Sequence, residues 1–280
     1  MALTLQKYEA LGNDFLVLVD GGHRSPFDAA LARVLCERRR GIGADGLMRV
    51  GVKGPGALTM ELRNADGGVA ETSGNGLRCA LLAAADAGLV RGAGPVEIST
   101  LAGTVRAEIL ERDDASAQVR VAMGSCAVDE EPESPAGGWR ALSVDVGNPH
   151  LVLLAGHGAI GLALEDIGPR LERERPGGVN VELVHVVDPT RLVLEVWERG
   201  VGRTRACGSG SCAAAAAARR CGLVGDEVVV DNPGGRLRVR LAGTRERPTA
   251  ELEGPVRRVA AVSVGEALLA EAAQARAAAP

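Results

Sequence analysis

A repeated junction constrains the fold most. Ser73-Gly74-Asn75-Gly76-Leu77-Arg78-Cys79-Ala80 and Cys207-Gly208-Ser209-Gly210-Ser211-Cys212-Ala213 each place a hydroxyl or thiol just before a Gly-x-Gly turn. Each turn runs into an Ala-rich stretch, residues 76–89 and 210–220, that reads as a helix apolar almost all round. Such a helix belongs in the middle of a fold rather than on its surface. Strand-like segments flank both. In the first half they lie at 15–19, 58–63, 95–100, 103–110 and 117–123. In the second they lie at 141–146, 150–154, 180–187, 190–197, 226–231, 235–241 and 248–253. Alternation and short apolar runs bounded by turn residues support these strands. The expected class is therefore α+β, with two similar domains, each a curved, barrel-like sheet around one central helix. This is a duplication of a large unit, not a short-period solenoid.

The expected division is 1–117 and 118–255, with part of 256–280 returning to complete the first half. Residues 124–138, with acidic residues, Pro132, Ser134, Pro135 and two glycines, read as the linker. Residues 27–40 carry Leu31, Val34, Leu35 and Cys36 at helical spacing, and a surface helix with a frayed end is expected from Glu266.

Composition removes several functions. The formal net charge is −4 and aromatics are 2%. A nucleic-acid binder wants a basic face and stacking rings. The run Arg38-Arg39-Arg40 reads as a solvated helix end. No apolar run approaches the roughly 18–20 residues of a membrane span, and Met1 to Lys7 lacks a signal pattern. A cytoplasmic protein is expected, with its six cysteines mostly reduced. The cysteines form no paired CxxC motifs and the four histidines are scattered, so no metal is expected. No Walker lysine loop and no G-x-G-x-x-G dinucleotide fingerprint occurs, so no cofactor is expected either.

The junctions point to an anion. The amides of Gly74, Asn75, Gly208 and Ser209, with the positive helix ends, suit a carboxylate. Donors there stabilise the charge that builds when an adjacent Cα–H is removed. A cysteine beside a helix N-terminus suits acid or base work, because that position lowers a thiol's pKa. Asn13, Asn64, Asn148, His150, Asn180, Glu198 and Arg199 cluster at turns and strand ends. Each alone is an ordinary turn or cap residue; together they suit a zwitterion. Arg199 offers a bidentate site for a second carboxylate, and Glu198 a partner for an ammonium. Cys36, Cys79, Cys126, Cys212 and Cys221 read as core or surface residues.

These motifs make the chain resemble the diaminopimelate epimerases. The likeness runs through Gly12-Asn13-Asp14-Phe15, Gly41-Ile42-Gly43-Ala44-Asp45-Gly46, Asn64-Ala65-Asp66-Gly67 and the first junction. It continues through Gly147-Asn148-Pro149-His150, Asn180-Val181-Glu182, Glu198-Arg199-Gly200 and the second junction. The resemblance implies a pseudo-two-fold pair of barrel-like domains, a homodimer, and two-base epimerisation of LL- to meso-diaminopimelate without PLP or metal. It implies Asn64, Asn180 and Arg199 at the distal end of the substrate and Asn13, His150 and Glu198 around the reacting end. Asn148 lies beside the substrate, and Gly74, Asn75, Gly208 and Ser209 hold the reacting carboxylate.

Two positions depart from the family pattern. Ser73 stands where the family has the second catalytic cysteine, and Arg203 where it usually has glutamate. Ser73 is an engineered substitution, a natural variant still serving as the weaker acid–base partner of Cys207, or a sign of one-base chemistry. The alternatives for the whole chain are another amino-acid racemase or epimerase, a one-base dehydratase on the same scaffold, and a non-catalytic amino-acid-binding protein.

Overall fold

The computed structural model describes residues 3–278, apart from 21–24, 55, 71–72, 91–93, 132, 135–136, 158 and 160. In chain order the first elements are β1 (Leu3–Ala10), β2 (Asn13–Val19), α1 (Ala29–Cys36), β3 (Gly46–Gly54), β4 (Ala57–Asn64), β5 (Val69–Ala70), α2 (Gly74–Asp86), β6 (Val96–Thr100), β7 (Gly103–Arg112) and β8 (Ser116–Ser125). Next come β9 (Ala127–Glu130), β10 (Trp139–Asp145), β11 (Pro149–Ala155), α3 (Leu164–Glu174), β12 (Asn180–Asp188), β13 (Arg191–Glu198) and β14 (Gly202–Thr204). The last are α4 (Gly208–Arg220), β15 (Glu227–Asn232), β16 (Gly235–Gly243), β17 (Pro248–Val264) and α5 (Glu266–Ala277). The chain divides into Met1–Val121 with Pro255–Pro280, and Ala122–Gly254.

In the first unit the strands run in the order β17, β1, β2, β3, β4, β6, β7, β8, and β8 pairs back onto β17. The Arg258 amide, donating to the Ala115 carbonyl at 2.7 Å, marks that closure. The second unit runs β9, β10, β11, β12, β13, β15, β16, β17. Its ring closes where the Cys126 amide meets the Pro248 carbonyl at 2.7 Å. The pairing directions match strand for strand. β1–β2 and β10–β11 are antiparallel, β2–β3 and β11–β12 parallel, and β3–β4 and β12–β13 antiparallel. β4–β6 and β13–β15 are again parallel. The fold is α+β, two structurally similar halves, each a barrel-like sheet around a central helix.

Each ring encloses the helix its composition anticipates. In α2, Gly74 to Ala84 are all buried, and in α4 every residue from Gly210 to Ala218 is buried. Alanine favours the helix, and its single methyl lets the surrounding strands approach from every side. A second core lies outside the first ring. There Leu31 and Leu35 of α1 pack with Leu5, Leu16, Leu47 and Ala272 of α5. In the second unit Leu164 and Leu171 of α3 pack on Trp139, Leu151 and Val181. Among the described residues no helix is long and apolar enough to cross a membrane.

Several expectations need correction. The helix expected over 27–40 spans Ala29–Cys36. Asp28 caps it, accepting from the Leu31 amide at 2.9 Å, and Glu37 leaves it at ψ 127. Arg38 is not an idle helix end; it pairs with Asp14 and Asp45. The linker expected over 124–138 contains the end of β8 and all of β9, because Cys126 and Val128 turn into the core. Pro132 and Pro135 lie outside the described residues. β1, β3 and α3 have no counterpart in the sequence reading. α3 holds Pro169 within its span, a residue that breaks helical patterns.

Candidate active site

In the second unit, Cys207 is the N-cap of α4, in extended conformation at φ −121 and ψ 119. Its Sγ accepts from the Gly210 amide at 3.3 Å and lies 3.5 Å from the Ser209 hydroxyl. The carboxylate of Glu198, the last residue of β13, acts electrostatically on this thiol and accepts from the Thr204 hydroxyl. His150 is buried in β11, with Nδ1 2.6 Å from Glu182 Oε1 and Nε2 3.0 Å from Asn148 Oδ1. Asn148 Nδ2 reaches the Ser209 hydroxyl at 3.4 Å. Glu182, His150, Asn148, Ser209 and Cys207 thus form one hydrogen-bonded chain, and Glu198 with Thr204 forms a second pair.

Electrostatics here reverses the expectation for the thiol. Burial, then the nearby carboxylates of Glu198 and Glu182, push Cys207 well above the ordinary thiol range. The Ser209 hydroxyl and the Gly210 amide favour the thiolate but are outweighed. Burial likewise raises Glu198, against the pull of Thr204, Cys207 and His150. Both shifts favour the protonated forms.

In the first unit, Ser73 is the N-cap of α2, at φ −154 and ψ 120, and its Oγ accepts from the Gly76 amide at 3.0 Å. Asn75 is buried; its Nδ2 donates to Asn13 Oδ1 at 3.3 Å and its Oδ1 accepts from the buried Arg78 at 2.7 Å. Arg78 also donates to the carbonyls of Gly74 and Pro255. Asn13 opens β2 after a two-residue turn, Leu11 at φ 56 and Gly12 at φ 84. Positive φ at both positions is the tight hairpin geometry that favours glycine, and leucine there is a strained choice. Asn13 Nδ2 is held by Asp45 at 2.9 Å. Asp14 binds Lys7 at 2.8 Å and Arg38 at 2.7 Å. Burial raises the Asp14 carboxyl, but hydrogen bonds from Arg38 and Lys7 prevail and hold it well below the usual carboxylate range.

In each unit the first amides of the central helix leave its end with no acceptor supplied by the helix itself. Gly74 and Asn75 take those positions in α2, Gly208 and Ser209 in α4. The remaining site residues divide. Asn64 ends β4 with an exposed side chain. Asn180 is buried, and its amide group is engaged in structure: Nδ2 donates to the Pro149 carbonyl at 3.1 Å and Oδ1 accepts from the Arg199 amide at 2.9 Å. Arg199 is exposed and donates to the Gly177 carbonyl at 3.1 Å. Arg203 lies opposite Trp197 on β13 and pairs with Glu165 and Glu195. Alternation along β13 puts Trp197 and Glu195 on the face away from Glu198. Arg203 is therefore a surface ion-pair residue.

Polar residues of these clusters without a role in the sequence analysis are Glu182, Asp45, Asp14, Lys7, Thr204 and Arg78. Glu182 carried a signal, a carboxylate within the apolar run Val179 to Val184 and on the same strand face as Asn180. Among the described residues no group of His, Cys, Asp and Glu side chains has a metal-holding arrangement.

The family model for diaminopimelate epimerase matches residues 5–128 and 142–259. A diaminopimelate epimerase of Corynebacterium glutamicum is 40% identical over 255 residues, covering 86% of this chain and 92% of that protein. Among solved structures, a Bacillus anthracis phenazine biosynthesis protein of the PhzF family aligns at TM-score 0.74 and 13% identity, over 95% of this chain and 99% of that one. A hydroxyproline epimerase from Agrobacterium vitis, with bound trans-4-hydroxy-L-proline, aligns at TM-score 0.70 and 18% identity, over 94% and 91%. These two share the fold. The chain is an isomerase of the epimerase class. It belongs to the diaminopimelate epimerase family.

Proposed function

We propose that the protein converts LL-2,6-diaminopimelate to meso-diaminopimelate by proton transfer at one α-carbon, serving lysine and peptidoglycan synthesis. The observation that carries this reading is the Cys207 thiol at the end of α4, held by the Gly210 amide and the Ser209 hydroxyl and under the influence of the Glu198 carboxylate. The amides of Gly208 and Ser209 donate to the reacting α-carboxylate, whose negative charge grows as the α-proton leaves. Cys207 gives its proton to the carbanionic carbon in one direction. In the reverse direction Glu198 takes the thiol proton and the thiolate removes the α-proton. Ser73, with Gly74 and Asn75, has the corresponding part in the other half. A hydroxyl is a far weaker acid than a thiol, so Ser73 makes this half the slower partner. Asn13, Asn148 and His150 bound the reacting end, and Asn64, Asn180 and Arg199 the distal amino acid, with Asn180 acting by fixing the Arg199 turn. Retention of the distal set supports diaminopimelate over a smaller amino acid. We also propose a cytoplasmic homodimer.

The test is α-proton exchange of LL- and meso-diaminopimelate in D2O, by the protein as given and by Ser73→Cys. Exchange at one α-carbon with a new stereoisomer is expected, faster in Ser73→Cys. A ketoacid product would instead indicate a dehydratase. Tight binding without exchange in both forms would indicate a binding protein.

A further inference from the structure

Glu182 is a charged side chain of the Cys207 cluster to which the proton transfer gives no part. It is fully buried in β12. One oxygen lies 2.6 Å from His150 Nδ1; the other, Oε2, is buried with no hydrogen-bond partner among the described residues. A half-satisfied carboxylate inside a protein is unfavourable, and the fold does not require one here. Gly46 pairs with Phe15 across β2–β3, as Asn180 pairs with His150 across β11–β12. Two residues further along, Met48 therefore corresponds to Glu182. Both point at the glycine three residues after the cap. A Cβ on Gly76 would stand 3.1 Å from Met48 Cε, and a Cβ on Gly210 2.8 Å from Glu182 Oε1. One half fills the position with a thioether and closes its ring equally well.

Glu182 also sits beside the reacting sulfur. The point 2.8 Å from its Oε1 is 3.4 Å from Cys207 Sγ. A second route links them through hydrogen bonds, from Glu182 to His150 at 2.6 Å, on to Asn148 at 3.0 Å, to Ser209 at 3.4 Å and to Cys207 at 3.5 Å. Which ring nitrogen faces the chain is set by what the other nitrogen binds.

We propose that Glu182 is a positioning residue: it accepts from His150 Nδ1 and so fixes the ring that stands 3.0 Å from Asn148 at the end of α4, and it places a carboxylate beside the Cys207 thiol. This rests on Cys207 as the reacting thiol of the proposed function, but not on the identity of the substrate.

The groups acting on the thiol are Glu198 from β13, Glu182 from β12, and Ser209 and Gly210 from α4, while His150 from β11 acts on Glu198. Glu182→Gln removes one of the two carboxylates. The measurement is iodoacetamide alkylation across pH, read by mass spectrometry on the Cys207 peptide. The expected result is a half-maximal rate at lower pH than in the unaltered protein, because the thiolate forms more easily. A residue acting in the fold alone would leave that profile in place, and an unmoved or upward-shifted profile overturns the proposal. If Glu182→Gln does not fold, Glu182→Met copies the other half and is read in the same way. In the unaltered protein, imidazole 15N shifts of His150 are expected to show a proton on Nδ1, and a bare Nδ1 overturns it. Alkylation and 15N shifts need no substrate, so a failure of diaminopimelate to exchange leaves these results interpretable.

Discussion

The two halves use one device with two chemistries. Both cap a buried helix with an oxygen or sulfur that accepts from the amide three residues on. Both brace the helix end with an asparagine from the neighbouring strand end, Asn13 on Asn75 and Asn148 on Ser209. Behind the cap they differ. The first half puts Met48 and Phe15 where the second puts Glu182 and His150. Its charges instead surround Asn13, through Asp45, Asp14, Arg38 and Lys7. The geometry of the helix end is thus a property of the fold, whereas the power to move a proton depends on what stands behind the cap.

The largest expected effect falls on the caps. Cys207→Ala removes an acid–base group and is expected to slow α-proton exchange by about 10²–10⁴-fold. Ser73→Ala is expected to cost about 1 kcal/mol of stability as a lost N-cap, seen in urea melts, with a smaller loss of exchange. Equal losses of exchange from both would erase the asymmetry.

The glycines sharpen the same contrast. Gly76→Ala meets the flexible end of Met48, and a gain in helix propensity of up to about 1 kcal/mol compensates. Gly210→Ala meets the buried Glu182 carboxylate, which has nowhere to move, and is expected to cost about 1–3 kcal/mol. Thermal melts of the two variants should fall in that order.

Acid separates the halves further. Asp14 has its folded pKa depressed, so its contribution is present above the unfolded value and is lost as pH falls through the folded one. The corresponding residue of the second half is Pro149, which does not titrate. Asp14→Asn is expected to flatten the stability profile below about pH 4, the ordinary range of an unfolded aspartate. A profile as steep as the parent's would place the acid sensitivity elsewhere.

The smallest effect is expected at Arg203. Its pairs with Glu165 and Glu195 are exposed, and such pairs are worth about 0–1 kcal/mol. Arg203→Glu should leave kcat/KM within about twofold, because transition-state contacts are untouched. A larger change would make Arg203 part of the chemistry after all.

The legible parts of this chain are those written in local pattern. Two alanine runs with glycine turns announce two buried helices, and Asn13, Asn64, Asn180 and Glu198 sit at the strand ends where turn residues belong. Long-range effects were not legible. Cys126 and Val128 stand in an acidic, Pro-rich stretch that reads as a linker, yet closing a ring draws them into strand. The helix end at Cys207 argues for a thiolate, and burial, with the two carboxylates arriving from β13 and β12, overturns that. Asn180 reads as a ligand contact, but its amide group ties two backbone segments together.

β17 sets an order of completion during synthesis. Everything in the second ring lies between Ala122 and Gly254, a single stretch of chain. The first ring, begun earlier, lacks the strand between β1 and β8 until residues 255–264 emerge. The half made first is therefore finished last. A chain stopped at Gly254 is expected to leave β1 and β8 open to protease while α4 stays protected; protection of both would show that the first ring closes without its final strand. A nascent chain must carry that unsealed edge until residues 255–264 have been made.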